Sequence, residues 1–284
     1  MKTLDTIKAI RDELAPLRQE NKRIALVPTM GNLHAGHLSL VKEALTRADV
    51  VVSTIFVNPM QFGPNEDLDN YPRTLEADKQ KLAEVGNHFL LTPSVSEVYP
   101  DGMGQTSVHV SGCTECLCGE KRPGHFDGVS TVVTKLFNMI QPDVAIFGQK
   151  DYQQLTTIRK MVLDLCFPIE IVGVETCREA DKLAMSSRNG YLNEDERSRA
   201  NALYHTLNHI KTTLLTGETD HSKMMSSAQQ SLDEAGFITD YLEIRDADTL
   251  ASVSTNSARL VILGAAFIGK TRLIDNLVLE LNRP

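Results

Sequence analysis

The sequence predicts an α/β protein in which a doubly wound parallel sheet over residues 1–176 precedes a smaller α+β domain over 177–284. Three observations predict it. Short unbroken apolar runs, such as residues 24–27 and 50–57, have the character of strands buried on both faces. Those runs alternate with stretches whose apolar residues recur at helical spacing. After Arg188 the texture changes to helical stretches followed by clustered strands, the order expected of an α+β unit.

Taken in chain order, Thr3 is expected to cap a first helix with Leu4, Ile7, Ile10, Leu14 and Leu17 on one face, ended or kinked by Pro16. Residues 24–28 form the first buried strand. A glycine-bearing turn, a helix over 38–48 and a second buried strand over 50–57 complete a βαβ unit. Helices over 74–85 and 129–140 flank a strand at 88–92, and in the second of them Val129, Val132, Val133, Leu136, Phe137 and Ile140 share a face. A strand at 144–147, a helix over 152–165 and a strand at 169–174 finish the parallel sheet. Beyond Arg188, Asn193 and Glu196 have capping-box spacing ahead of Leu203, Leu207, Ile210 and Leu214. Gly217 is expected to end that helix. Another helix runs over 222–235 to Gly236, and strands follow at 237–245, 259–266 and 272–281.

Composition narrows the function classes. The chain has 284 residues and 42% hydrophobic content, more than one compact core usually holds. Its apolar runs fall far short of a membrane span and no signal peptide is read at the amino terminus, so no membrane partner and a cytoplasmic location are expected. A net charge of −8 argues against a broad nucleic-acid surface. Five cysteines without a secretory signal are expected to be free thiols.

The chemistry is expected where strands end. In a doubly wound sheet, ligands bind beyond the carboxyl ends of strands, where helix N-termini favour anions. The run Pro28-Thr-Met-Gly-Asn-Leu-His-Ala-Gly-His37 occupies such a junction. Gly31 permits a turn that other residues resist, Gly36 permits close approach of a ligand, and His34 and His37 can donate to phosphate oxygens. The plain alternative is that both histidines only cap the helix. Phe56-Val-Asn-Pro-Met-Gln-Phe62 closes the second buried strand with two amides, Asn58 and Gln61, suited to hydroxyl and carboxylate groups. In Phe147-Gly-Gln-Lys-Asp-Tyr-Gln-Gln154, Gly148 ends a strand and Lys150 stands at a helix start as a phosphate clamp, with Gln154 a turn further on. A fourth segment, Leu183-Ala-Met-Ser-Ser-Arg-Asn189, combines hydroxyls with a guanidinium, a set suited to a triphosphate.

With these motifs, together with Tyr71-Pro-Arg-Thr74 and Arg122-Pro-Gly-His-Phe126, the chain closely resembles the pantothenate synthetases, also called pantoate–β-alanine ligases, over essentially its whole length. The resemblance implies a Rossmann-like fold of the nucleotidylyl-transferase type, a smaller carboxy-terminal domain that closes over the ATP site, and a homodimer. It implies the substrates pantoate, β-alanine and ATP with Mg2+, a pantoyl-adenylate intermediate, and release of AMP and pyrophosphate. Carried over by resemblance, Met30, Gly31, Asn32, Leu33, His34, Ala35, Gly36 and His37 line the ATP site, with His37 as proton donor and His34 and Lys150 at the phosphates. Gly148, Gln149, Lys150, Asp151, Cys177, Met185, Ser186, Ser187 and Arg188 complete the nucleotide contacts. Gln61 and Gln154 hold pantoate, and Asn58 is a further substrate contact. No magnesium ligand is assigned.

Two departures from the family's pattern stand out: Asp127, where many relatives carry a basic residue, and Lys182, where many carry glycine. Three other readings of the sequence compete. Cys113, Cys116 and Cys118 with His109 and His125 offer a zinc site, although such sites usually pair two ligand knuckles. Another nucleotidylyltransferase, making a nucleotide adduct, would share the histidine turn and the fold but has no need of Asn58 with Gln61. A non-catalytic nucleotide sensor would be favoured only by an incomplete set of phosphate-binding groups, and here the set is complete.

Overall fold

The structure, a computed structural model, describes residues 1–64, 66–216, 221–255 and 257–280. Gly217, expected to end a helix, and Leu281, expected in the last strand, lie outside the described residues. The chain divides into two compact units: Met1–Gln149 with Gln153–Glu175, and Lys150–Tyr152 with Thr176–Pro284.

The first unit opens on β1 (Lys2–Leu4), α1 (Ile7–Gln19), β2 (Ile24–Thr29), α2 (Ala35–Arg47) and β3 (Val50–Ile55). It continues through α3 (Leu75–Glu84), β4 (Phe89–Leu91), two short helices α4 (Val95–Val98) and α5 (Cys118–Lys121), α6 (His125–Ile140) and β5 (Val144–Gly148). It closes with α7 (Tyr152–Asp164), whose first residue belongs to the other unit, and β6 (Glu170–Val174). Among the described residues the strands form a six-stranded sheet in the order β1-β4-β3-β2-β5-β6, with every pairing parallel. From β2 the chain winds one way to β3 and β4, and from β5 the other way to β6. The winding therefore reverses between neighbouring β2 and β5, the position where open α/β sheets bind ligands. Ala25, Val27, Val51, Val144 and Ile146 of the central strands are fully buried with Val41 and Ala44 of α2 and Leu82 of α3.

The amino terminus corrects the sequence reading. Thr6, not Thr3, caps α1, its side chain accepting from the Ala9 N–H, and residues 2–4 instead pair with β4 as an edge strand. Local spacing could not show this, because the partner strand lies over 80 residues away. Pro16 sits inside α1, which runs on to Gln19.

The second unit holds α8 (Glu194–Arg199), α9 (Ala202–Leu215), α10 (His221–Glu234), β7 (Phe237–Asp246), β8 (Arg259–Ile268) and β9 (Thr271–Glu280). The strands form a three-stranded antiparallel sheet with β8 central. The Asn193–Glu196 capping box is present but starts the separate short helix α8. Leu203, Leu207 and Ile210 of α9 pack with Leu232, Leu260 and Ile262 as the core of this unit.

Candidate active site

β2 ends at Thr29, and two successive residues then adopt the left-handed region, Gly31 (φ +86°) and Asn32 (φ +51°). A side chain at position 31 would crowd Ile55 Cγ2 and Asp78 Oδ2, at 3.1 and 3.3 Å. Glycine is therefore required there both by backbone conformation and by close approach. Asp78 of α3 is fully buried and clasps the turn: its oxygens accept the N–H groups of Asn32 and Leu33, both at 2.8 Å, and the Thr74 hydroxyl at 3.1 Å. Lys81 donates to the Leu33 carbonyl at 2.7 Å.

This turn delivers His34 to the N-cap of α2. Nδ1 of His34 accepts the Gly36 N–H at 3.2 Å, and Nδ1 of His37 accepts the His34 N–H at 3.3 Å, a capping box built from two imidazoles. The ring centroids are 4.1 Å apart. The capping role set against the phosphate role is thus real, and it does not exclude that role. With Nδ1 of each ring an acceptor, each neutral imidazole carries its proton on Nε2 and is a donor there. Met30, Gly36, His34 and His37 are half-buried and Ala35 is exposed.

Beyond β3, which neighbours β2, Asn58 caps the 3-10 turn Pro59–Gln61. Asn58 is 0% exposed. Its Nδ2 donates to Gln61 Oε1 and to the Gly128 carbonyl, both at 3.1 Å. Its Oδ1 accepts the Tyr99 hydroxyl at 2.9 Å and the Met60 N–H at 3.3 Å. Burial is the main influence on the Tyr99 phenol, pushing it up to about 12, against a smaller opposing effect of the bond to Asn58. Both hydrogens and both lone pairs of the Asn58 amide are therefore spent inside the protein. Within the protein the Asn58 side chain is thus a bracket for Gln61. The Gln61 backbone is held as well, its carbonyl accepting from His125 Nδ1 at 2.8 Å and Arg122 at 3.2 Å. Arg122 also pairs with Glu66 at 2.5 Å. The backbone of α6 comes so close at Gly128 that a Cβ there would lie 2.3 Å from the Met60 carbonyl oxygen.

β5 ends at Gly148, where a Cβ would meet nothing within 4 Å, and the Gln149 amide donates to the Gly173 carbonyl of β6. The two neighbouring glutamines of α7 divide their roles. Gln153 is buried, bonding the Cys113 and Cys116 carbonyls and the Cys118 N–H, whereas Gln154 is half-buried. Gly31, Gln61 and Gly148 thus lie at or just past the carboxyl ends of three adjacent parallel strands, about the reversal point of the sheet.

In the second unit, the Lys150 carbonyl accepts from Asn276 of β9 at 2.9 Å, and Tyr152 donates to the Ala247 carbonyl. Residues 177–185, which overlap the start of the polar segment read over 183–189, make a tight hairpin: Arg178 bridges Ala184, and the Met185 N–H donates to the Cys177 carbonyl. Lys182 sits at its tip with φ +75°, a conformation that glycine adopts more readily than lysine. Ser186 then caps a 3-10 helix, Ser187–Tyr191, by accepting the Arg188 N–H. Lys150, Ser186 and Asn189 line a small recess with Tyr204 and Asp275. Asp275 holds Arg178 through two bonds, at 2.7 and 2.9 Å. Asp151 is exposed.

The remaining expectations resolve locally. Among the described residues no group of three His, Cys, Asp or Glu side chains is placed to hold a metal ion. Cys113 is buried against Thr157, and burial pushes its thiol up, which disfavours the thiolate a metal requires. Asp127, half-buried in the first turn of α6, pairs with His109 at 2.8 Å. Sequence reasoning missed Asp78 and Tyr99, whose partners lie 45 and 41 residues away. No local pattern marks such contacts.

Comparison with known proteins finds one family model, described as pantoate-beta-alanine ligase, matching residues 2–278. The chain is 56% identical to the pantothenate synthetase of Pseudomonas fluorescens over 285 residues, covering 100% of both chains. Among solved structures it is similar to pantothenate synthetase from Thermus thermophilus, with TM-score 0.91 and 43% identity, covering 98% of this chain and 99% of that one. It is also similar to the pantoate-beta-alanine ligase of Francisella tularensis complexed with beta-gamma ATP and beta-alanine, with TM-score 0.82, 35% identity and coverage of 98% and 97%. No described helix is long and apolar enough to cross a membrane.

Proposed function

The chain belongs to the pantoate–β-alanine ligase family, enzymes that form pantothenate, and from that premise we propose that it works through a pantoyl adenylate. In the first half-reaction a pantoate carboxylate oxygen attacks the α-phosphorus of ATP, and pyrophosphate leaves. In the second, the β-alanine amine attacks the acyl carbon and AMP leaves with the bonding electrons. The observation that carries this reading is the imidazole capping box: two Nε2–H donors at the start of α2, beside the reversal point of the sheet. Donors held in advance where charge develops on departing phosphate oxygens lower the barrier without reorganising.

The residue roles follow from chemistry and family resemblance. Residues 30–37 take the nucleotide, with His37 as proton donor and His34 beside it on the phosphates. Gly148, Gln149, Lys150, Asp151, Cys177, Met185, Ser186, Ser187 and Arg188 supply further nucleotide contacts, Lys150 and Arg188 as the cations. Gln61 and Gln154 hold pantoate by their amides. Magnesium belongs to the ATP substrate and is held by phosphate oxygens. The family further supports a cytoplasmic homodimer, its oligomeric state checked by light scattering of the purified protein.

Incubation with ATP, magnesium, pantoate and β-alanine tests the central claim. AMP formation that depends on both organic substrates is expected, with exchange of labelled pyrophosphate into ATP on pantoate alone. Absence of that exchange while pantothenate still forms would rule out the adenylate.

A further inference from the structure

An amide side chain has two orientations of nearly the same shape and opposite polarity. Whether Gln61 offers a substrate its N–H hydrogens or its oxygen therefore depends on what fixes its flip. Gln61 is 9% exposed, and its Oε1 accepts from Asn58 Nδ2, so its NH2 group is what remains for a ligand. A carboxylate only accepts hydrogen bonds, and this is the orientation that serves one. Asn58 is oriented in turn by donors on its other side, the Met60 N–H at 3.3 Å and the shorter Tyr99 hydroxyl at 2.9 Å. The reverse flip of Asn58 would set its oxygen against the Gly128 carbonyl and its NH2 against the Met60 N–H.

We propose that Tyr99 is a positioning residue for carboxylate selection, acting through Asn58 to hold Gln61 with its N–H hydrogens toward the substrate. This rests on the reading that Gln61 binds pantoate. Tyr99 is suited to the task. Its ring is buried, tilted against Phe56 with centroids 6.3 Å apart, and it lies under the Lys135 ammonium, 5.3 Å from the ring centroid. Its hydroxyl stays protonated, and so remains a donor, through the neutral range.

The test is steady-state kinetics of the full chain carrying Tyr99→Phe, Gln61→Ala or both. Losing a neutral hydrogen bond that orients a binding group should raise KM for pantoate about fivefold in Tyr99→Phe, with KM for ATP and β-alanine within about twofold of the parent. In the Gln61→Ala background, adding Tyr99→Phe should change nothing further. A merely structural tyrosine would raise all three KM values in both backgrounds. An unchanged pantoate KM in Tyr99→Phe, or an equal rise on top of Gln61→Ala, overturns the inference. If Gln61→Ala itself leaves pantoate KM unchanged, the reading of Gln61 falls and the inference with it. If Gln61→Ala raises it and Tyr99→Phe does not, only the inference falls. Calorimetric titration with pantoate alone gives the same comparison for any variant that binds without turning over.

Discussion

Two imidazoles joined as a helix cap give each ring a structural duty, beside the chemical one proposed for it. Removing one should expose both. His37→Ala is expected to lower single-turnover adenylation by roughly 10²–10³-fold, the size found when one transition-state donor is lost. The same change costs about 1 kcal/mol in capping, so the activity loss should far exceed the fall in unfolding midpoint. Unchanged adenylation would remove His37 from the mechanism. Lys150→Ala is expected to produce a similar loss in adenylation, because the cation proposed to face the phosphate oxygens is replaced by a methyl group. Both residues were legible in the sequence, because a histidine pair or a lysine directly after an apolar strand is a local pattern. Asn58 was legible only as an amide. Its spent hydrogen-bonding capacity depends on Tyr99 and Gly128, 41 and 70 residues along the chain.

At the scale of elements, close backbone approach and hairpin geometry set the limits. Gly128→Ala puts a methyl 2.3 Å from the Met60 carbonyl oxygen and 3.0 Å from the Gln61 nitrogen, so α6 and the 3-10 turn Pro59–Gln61 must separate. A stability loss of about 1–3 kcal/mol is expected from such overpacking, read by denaturant unfolding. Pantoate KM should rise more than ATP KM, because the displaced turn carries Gln61; equal shifts would argue against that link. Lys182→Gly has the opposite sign. At φ +75° lysine bears the left-handed penalty of about 1–2 kcal/mol, offset in part by the greater unfolded-chain entropy of glycine. A net gain of about 0.5–1 kcal/mol is expected from these two opposing effects, visible as a higher thermal midpoint, and a loss would show that the lysine side chain stabilises the hairpin.

For the whole molecule, the two units carry separate sets of the proposed nucleotide contacts, residues 30–37 in one and Lys150 with Ser186 and Arg188 in the other. Hydrogen exchange with and without a non-hydrolysable ATP analogue should show protection in both sets, whereas pantoate alone should protect residues 58–61 and leave 185–189 unchanged. No effect of the ATP analogue on 185–189 would separate that segment from nucleotide binding. The sequence by itself determined the alternation of buried strands and helices, the junctions that carry chemistry and, by resemblance, the family, because each is written in contiguous residues: an apolar run, a glycine at a strand end, a motif. Tertiary structure alone decided that Lys2–Leu4 is an edge strand, that Asp78 clasps the histidine turn, that Asn58 braces Gln61, and that Asp127 turns to His109. Each of these depends on which distant groups meet to satisfy buried donors and acceptors, and no local spacing records those meetings.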